Sequence, residues 1–145
     1  VDHVLRVVHR AAEAMLEVGA NACTDITGFG LLGHVREMAV GSGVNVTLHV
    51  DAVPVLPAAR TYAAADIVPG GTLNNLAFVE EQVTFAPGVS RVQQLILADA
   101  QTSGGLLVSL PAARAGDYLV ALRESGHTAE IVGRVIEGPA QIVVR

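Results

Sequence analysis

The sequence predicts an α+β domain: a mixed β-sheet with helices packed on it. Three observations carry this expectation. Stretches with apolar residues at 3–4 spacing are interspersed with short runs of period two, so helices and strands share one chain. At 145 residues, 51% hydrophobic and 16% charged, the chain is long and apolar enough for one real core over 1–145. With 3% aromatics and no Trp, that core must be built from Val, Leu, Ile and Ala.

The elements follow in order. Residues 3–18 form an amphipathic pattern with Val4, Val8, Ala11, Met15 and Val18 on one stripe, Asp2 at the N-cap position and Gly19 as terminator. Residues 22–34 come next and organise the chain. An apolar approach runs into Asp25 and Thr27, Gly28 and Gly30 bracket Phe29, and a helix over Leu31–Val40 ends at Gly41-Ser42-Gly43. Val44–Val50 alternates as a strand, with Val44, Val46, Leu48 and Val50 on one face, and Asp51 and Pro54 break it. A short Ala-rich helix spans Pro57–Ala65. Pro69-Gly70-Gly71-Thr72 reads as a turn leading to Asn74-Asn75, and residues 78–86 read as extended. Ser90 opens a helix, and Asp99–Gly105 breaks the pattern again. Leu106–Leu110 is a short buried strand, and a helix over 112–124 ends at Gly126. Thr128–Ile136 and Gln141–Val144 are two last strands, and Gly138-Pro139 between them signals a hairpin. The sheet therefore has about four to six strands.

Composition excludes some functions. Nine basic residues against 14 acidic ones give a net charge of −5, with no basic stripe and few aromatics to stack bases, which argues against a nucleic-acid partner. No apolar run approaches the length of a membrane span. The single Cys23 permits no internal disulfide and fits a reducing, cytoplasmic setting. The chain begins at Val1 without a signal peptide or initiator Met and enters a helical pattern at once, which reads as a piece of a longer protein; a trimmed chain would read the same.

Three polar, glycine-containing breaks remain as candidate chemistry. Asp25 precedes a helix, and such an acid most often caps it. The flanking glycines admit a ligand near the backbone, and a preorganised carboxylate suits a hard cation such as Mg²⁺, given further acids and phosphates from elsewhere. Pro69-Gly70-Gly71-Thr72 with Asn75 offers N–H groups and a hydroxyl to an anion, or is an ordinary loop. Gln101-Thr102-Ser103-Gly104-Gly105 is a turn into a strand or a ligand-lining edge. His34, one helical turn after Gly30, could reach a phosphate or another subunit, but the commoner role is a half-buried, backbone-bonded histidine. Cys23 lacks a nearby base and reads as a small buried filler, and His49 and His127 read as surface positions. No histidine shows metal-ligand spacing.

Thr24-Asp25-Ile26-Thr27-Gly28-Phe29-Gly30-Leu31-Leu32-Gly33-His34 resembles the signature of the selenophosphate synthetase (selenide, water dikinase) family. Gly70-Gly71-Thr72 with Asn75, and Asp99–Leu107, match two further family segments in the same order. The resemblance implies the fold of the aminoimidazole ribonucleotide synthetase C-terminal domain. Family members are homodimers of two-domain chains that turn ATP, selenide and water into selenophosphate, AMP and phosphate with Mg²⁺. Their N-terminal domain carries the catalytic Cys or selenocysteine, its Lys and most of the metal-binding acids, and this chain resembles the C-terminal domain alone. Residue by residue, the family's acid falls on Asp25 as a magnesium ligand, and Thr72, Asn75, Gln101, Thr102 and Ser103 fall in the ATP and substrate region. Cys23 does not match the catalytic Cys, and Ala100 stands where the family usually has Pro. The resemblance thus implies ATP, selenide and the chain's own N-terminal domain as partners, and no dikinase activity for this chain alone. Two alternatives stay open: the C-terminal domain of a related ATP-dependent synthetase, or a non-catalytic binding or dimerisation domain.

Overall fold

The structure, a computed structural model, describes residues 14–145. The predicted first helix lies mostly outside that range, as does Asp2. Residues 14–17 are helical, and Gly19 follows in the left-handed conformation (φ 72°), where a terminating glycine is expected. Then come β1 (Ala22–Asp25), α1 (Gly30–Ser42), β2 (Val44–Leu48), α2 (Pro57–Ala64), α3 (Gly70–Val79), β3 (Val83–Phe85), α4 (Arg91–Leu97), β4 (Leu106–Ser109), α5 (Ala115–Glu124), β5 (Gly133–Glu137) and β6 (Ile142–Val144). Single 3₁₀ turns occupy Val50–Ala52 and Ala112–Arg114. Helices and mixed strands make this an α+β fold, as the sequence predicts.

The chain divides into two compact units. The smaller comprises residues 1–23 and 108–131, and its described core is Ala14, Val18, Tyr118 and Leu122. The larger comprises residues 24–107 and 132–145, and it contains a four-stranded mixed sheet in the order β3-β6-β2-β5. β2 pairs antiparallel with β5 and parallel with β6, and β6 pairs parallel with β3. In this register Val46, Ile142 and Val83 lie side by side, and so do Leu48, Val144 and Phe85. Side chains alternate across a sheet, so these two rows form one face. With Leu32, Val35, Ala39, Val79 and Leu97 from the helices they make the core. β1 and β4 form a separate two-stranded sheet.

Several boundaries differ from the sequence reading. α1 runs through Gly41 and Ser42, and only Gly43 (φ 63°) ends it, its N–H donating to the Ala39 and Val40 carbonyls. Residues 69–72 are not a loop: Pro69 is the N-cap and α3 begins at Gly70. The buried positions Thr72, Asn75 and Val79 keep helical 3–4 spacing, but two of the three are polar, so the apolar stripe was invisible. β3 is correspondingly confined to residues 83–85, and residues 78–79 belong to α3. β4 is half-exposed rather than buried, with Leu106 40% exposed.

The predicted hairpin at Gly138-Pro139 does not form, because β2 lies between β5 and β6. The connection crosses the end of β2, where Asn45 Oδ1 accepts the Gln141 N–H (2.8 Å) and the Val46 N–H donates to the Gln141 carbonyl (2.9 Å). Elsewhere local signals hold. Ser90 caps α4 in a reciprocal box with Gln93, and Gly126 (φ 81°) follows α5.

Candidate functional site

The larger unit brings the three polar breaks together. The turn after β1 is held through the backbone groups of Ile26 and Thr27. The Ile26 N–H donates to the Gly105 carbonyl (2.9 Å), and the Ile26 carbonyl accepts the Gly104 N–H (2.8 Å). The Thr27 carbonyl accepts from both Gly30 N–H (3.0 Å) and Gln101 N–H (3.2 Å), and the Thr27 N–H donates to His34 Nε2 (3.1 Å). The first and third breaks are thus laced by backbone hydrogen bonds, which satisfies groups that would be costly to leave unpaired.

α3 supplies the second break. Asn75, 7% exposed, donates through Nδ2 to the Gly28 carbonyl (2.8 Å) and to the Ala98 carbonyl (3.0 Å). A flipped amide would set its oxygen against two carbonyls, so this orientation is fixed by chemistry. Thr72 is fully buried. Its hydroxyl donates to Asp99 Oδ1 (3.4 Å) and accepts the Ala100 N–H (3.3 Å). One turn of α3 therefore clasps both other breaks.

Glycines permit the close approach. Gly30 has φ 68°, and a Cβ there would lie 2.7 Å from the Ala98 carbonyl carbon and 2.8 Å from the Asp99 carbonyl oxygen. A Cβ on Gly104 would strike the Gln101 side chain and Ile26. At Gly28, by contrast, a Cβ would meet nothing within 4 Å, so that side of the turn is open.

Asp25 ends β1 and is exposed. It is not the cap of α1, which begins five residues later with Phe29 at the N-cap and no side-chain cap bond. No hydrogen bond or ion pair engages its carboxylate among the described residues. Gln101 is half-buried, and Thr102 and Ser103 are exposed. Asp99 and Gln101 also border an open cleft of about 350 Å³ whose other walls include Leu31, Leu56, Tyr62 and Ile67. That volume is in the range of small-molecule sites.

His34 follows the backbone-bonded reading. It is 6% exposed, with Nε2 on Thr27 and Nδ1 on Glu37 Oε2 (3.1 Å). Cys23 corrects its reading, because it is exposed on β1 rather than buried. His49 and His127 are half-buried rather than surface residues. The sequence reading missed Glu37 as the partner of His34 and Asp99 as the acceptor for Thr72. It also missed Phe78, which stacks on Phe29 with centroids 5.9 Å apart beneath the Arg36 guanidinium at 4.4 Å. Glu37 was findable, since it stands one helical turn after His34.

The family described as "AIR synthase related protein, C-terminal domain" matches residues 2–145. The selenide, water dikinase of Myxococcus xanthus is 41% identical over 144 residues, covering 97% of this chain and 41% of the relative. That of Caldanaerobacter subterraneus subsp. tengcongensis is 44% identical over 128 residues, 88% of this chain and 37% of the relative. That of Shewanella sp. is 46% identical over 121 residues, 83% of this chain and 33% of the relative. The chain therefore spans 41% or less of the length of these curated relatives. Among solved structures, E. coli HypE, a hydrogenase maturation protein, matches with TM-score 0.59 and 19% identity over 92% of this chain and 35% of its own. T. maritima PurL complexed with FGAR matches with TM-score 0.54 and 20% identity over 88% of this chain and 17% of its own. At these identities the likeness to both is one of fold. The match over nearly the whole chain settles the family: the chain belongs to the AIR synthase related protein, C-terminal domain family.

Proposed function

We propose that this chain is the C-terminal domain of a selenophosphate synthetase, contributing one wall of a site where ATP and selenide become selenophosphate, AMP and phosphate. The observation that carries the reading is the convergence of the three breaks on the turn that follows Asp25, whose exposed carboxylate has no partner among the described residues, in a chain 41% identical to a selenide, water dikinase. Phosphoryl transfer depends on placing phosphates and neutralising their charge with metal ions.

The donor chemistry at Asp25 fits one position on Mg²⁺: a hard, anionic oxygen with no partner among the described residues. Among the described residues no group of three or more His, Cys, Asp or Glu gathers around it. Phosphate oxygens, water and acids of another domain must complete the coordination. In this reading the magnesium supplies charge neutralisation at the polyphosphate, and Asp25 holds one ligand position. Thr72 and Asn75 position the turn through their internal bonds rather than by touching ATP, whereas Gln101, Thr102 and Ser103 face the ligand. The protein is cytoplasmic, dimeric and completed by its own N-terminal domain.

The test is Asp25→Asn in the whole enzyme, with selenide-dependent AMP release followed against magnesium concentration. The expected result is a large increase in the magnesium needed for half-maximal rate. An unchanged magnesium dependence rejects the role of Asp25. Clear turnover by this chain alone would reject the assignment of the catalytic machinery to another domain.

A further inference from the structure

We propose that the open cleft beside α2 is a docking groove for the part of the polypeptide outside this chain, which fills it with aliphatic side chains and meets its polar end with a hydrogen-bond donor. The groove deepens the proposed function, and rests on it for the second domain that fills it.

The local sequence builds a wall that stays open. Pro54 and Pro57 bracket Val55 and Leu56. A residue before proline is driven out of the helical region, and Leu56 is extended (φ −61°, ψ 130°) as the N-cap of α2. The backbone thus holds Leu56 outward, where it is 78% exposed. Within α2, Ala59 and Ala63 stand one turn apart and both line the cleft. Their small side chains leave room between larger neighbours. Tyr62 and Ile67 also line it while 56% and 62% exposed, and Leu95 and Leu97 of α4 add buried lining.

Single exposed apolar residues are ordinary. Three above half exposure around one concavity of about 350 Å³ mark a surface that is covered in the working protein. The lining sets the chemistry of the cover. Among the described residues no Arg, Lys or His borders the cleft, and Asp99 is the one charged residue that does. A phosphate therefore finds no counter-charge there. Asp99 Oδ1 accepts the Thr72 hydroxyl, and the carboxylate has lone pairs for a further donor, with Gln101 also at the cleft. Aliphatic side chains followed by a donor match this lining.

Two observations favour the second domain over a second copy or a small molecule. Gln101 leads directly into Thr102 and Ser103, so whatever fills the groove reaches the edge of a site that another domain must complete. The chain spans 41% or less of the length of its curated relatives, which leaves more than half of a relative to supply the cover. Small-molecule sites bury most of their ligand, whereas this cleft is open and rimmed by exposed side chains. A wall already shaped by two prolines also spares the docking segment part of its ordering cost.

The test uses the whole protein. In Leu56→Cys, maleimide should modify residue 56 many-fold more slowly in the native protein than in urea. In Tyr62→p-benzoylphenylalanine, irradiation should join residue 62 to a peptide of the same molecule from outside residues 1–145, identified by mass spectrometry. Labelling of residue 56 as fast in the native state as in urea overturns the proposal. So does a cross-link only to a second copy, read from mixed ¹⁴N and ¹⁵N protein, or the absence of any cross-link. If the cross-link forms but the whole protein makes no selenophosphate, the proposed function fails and the groove stands. If selenophosphate forms without the cross-link, the groove alone fails.

Discussion

Asn75 reaches from the second turn of α3 to the Gly28 carbonyl at 2.8 Å, and with its other amide hydrogen to the Ala98 carbonyl at 3.0 Å. One buried side chain thus ties the turn after β1 to the loop after α4. Asn75→Ala leaves two carbonyls without their donors, and each buried orphan costs roughly 1–3 kcal/mol. The better helix propensity of Ala returns only about half a kcal/mol. A net loss of about 2–4 kcal/mol is expected, lowering Tm by roughly 5–15 °C. Asn75→Asp should be worse at neutral pH than in acid, because only the protonated acid can donate to either carbonyl. Its stability should accordingly fall as pH rises. Urea unfolding followed by circular dichroism at several pH values checks both.

Gly30 and Gly28 stand two residues apart and should respond in opposite ways. At Gly30 the backbone is left-handed, and a Cβ would press on Ala98 and Asp99 backbone atoms at 2.7–2.8 Å. The conformation alone costs about 1–2 kcal/mol in an L-residue, and the clash adds to it because backbone atoms cannot rotate aside. Gly30→Ala should therefore lose more than about 3 kcal/mol or fail to fold. Gly28→Ala meets nothing within 4 Å and should fold with stability within roughly 1 kcal/mol of the parent. In the whole enzyme, however, it places a methyl on the open side of the turn, so impaired magnesium-ATP use without loss of stability is the expected pattern.

This pair also shows what could be read before folding. Gly28 and Gly30, read with Asp25 as a turn that admits a ligand near the backbone, differ in the structure: at Gly30 the close approach is by the protein's own chain. The sequence could not say that Gly30 serves the protein's own Ala98–Asp99 backbone while Gly28 faces open space. The spacing of glycines records close approach without naming the partner. α3 was missed for a related reason. Periodicity identifies a helix by its apolar stripe, and here the buried stripe carries Thr72 and Asn75, whose polarity is matched by bonds from distant segments. A polar residue satisfied across 23 or 47 positions looks like a loop residue until the partner is in place.

The hairpin failed on non-local grounds. Gly138-Pro139 is good turn chemistry, but β2 offers β5 and β6 a partner on each side, and no local pattern records that competition. Capping was legible because it is local: Ser90 and Gln93 are three residues apart and bond each other. Cys23 was misread because the lack of a nearby base argues against a nucleophile but does not say whether the side chain is covered.

In the smaller unit, Tyr118 should shape the alkaline limb of stability. Burial pushes its phenol above the ordinary value of 10.0, and the charge of nearby Cys23 pushes it further in the same direction. The folded state therefore holds this proton more tightly than the unfolded one. The resulting stabilisation is fully present below the unfolded pKa, and it is lost as pH rises through the higher folded value. The chain contains no Lys, so few other groups titrate in that window. Tyr118→Phe should flatten the decline in unfolding free energy above about pH 10, whereas Phe at the exposed Tyr62 should leave it as it is. Equal alkaline slopes in the parent and Tyr118→Phe would show that the shift carries no stability.

Asp25 should prove dispensable to folding, and that separates it from the residues that hold the turn. Its carboxylate is exposed and has no partner among the described residues, so Asp25→Asn removes no native contact. Surface substitutions of that kind change stability by roughly 0.5 kcal/mol or less. Thr72→Val, in contrast, buries a methyl where the hydroxyl had bridged Asp99 and Ala100, leaving an acceptor and a donor unmatched. A loss of about 1–3 kcal/mol is expected there. Measured side by side in this chain, the two substitutions should rank Thr72→Val well below Asp25→Asn in stability. In the whole enzyme the ranking should invert for magnesium dependence, with Asp25→Asn the more affected. A residue free to face a ligand and a residue that aims it are thereby told apart by two measurements, and an Asp25→Asn chain that unfolds easily would return Asp25 to a structural role.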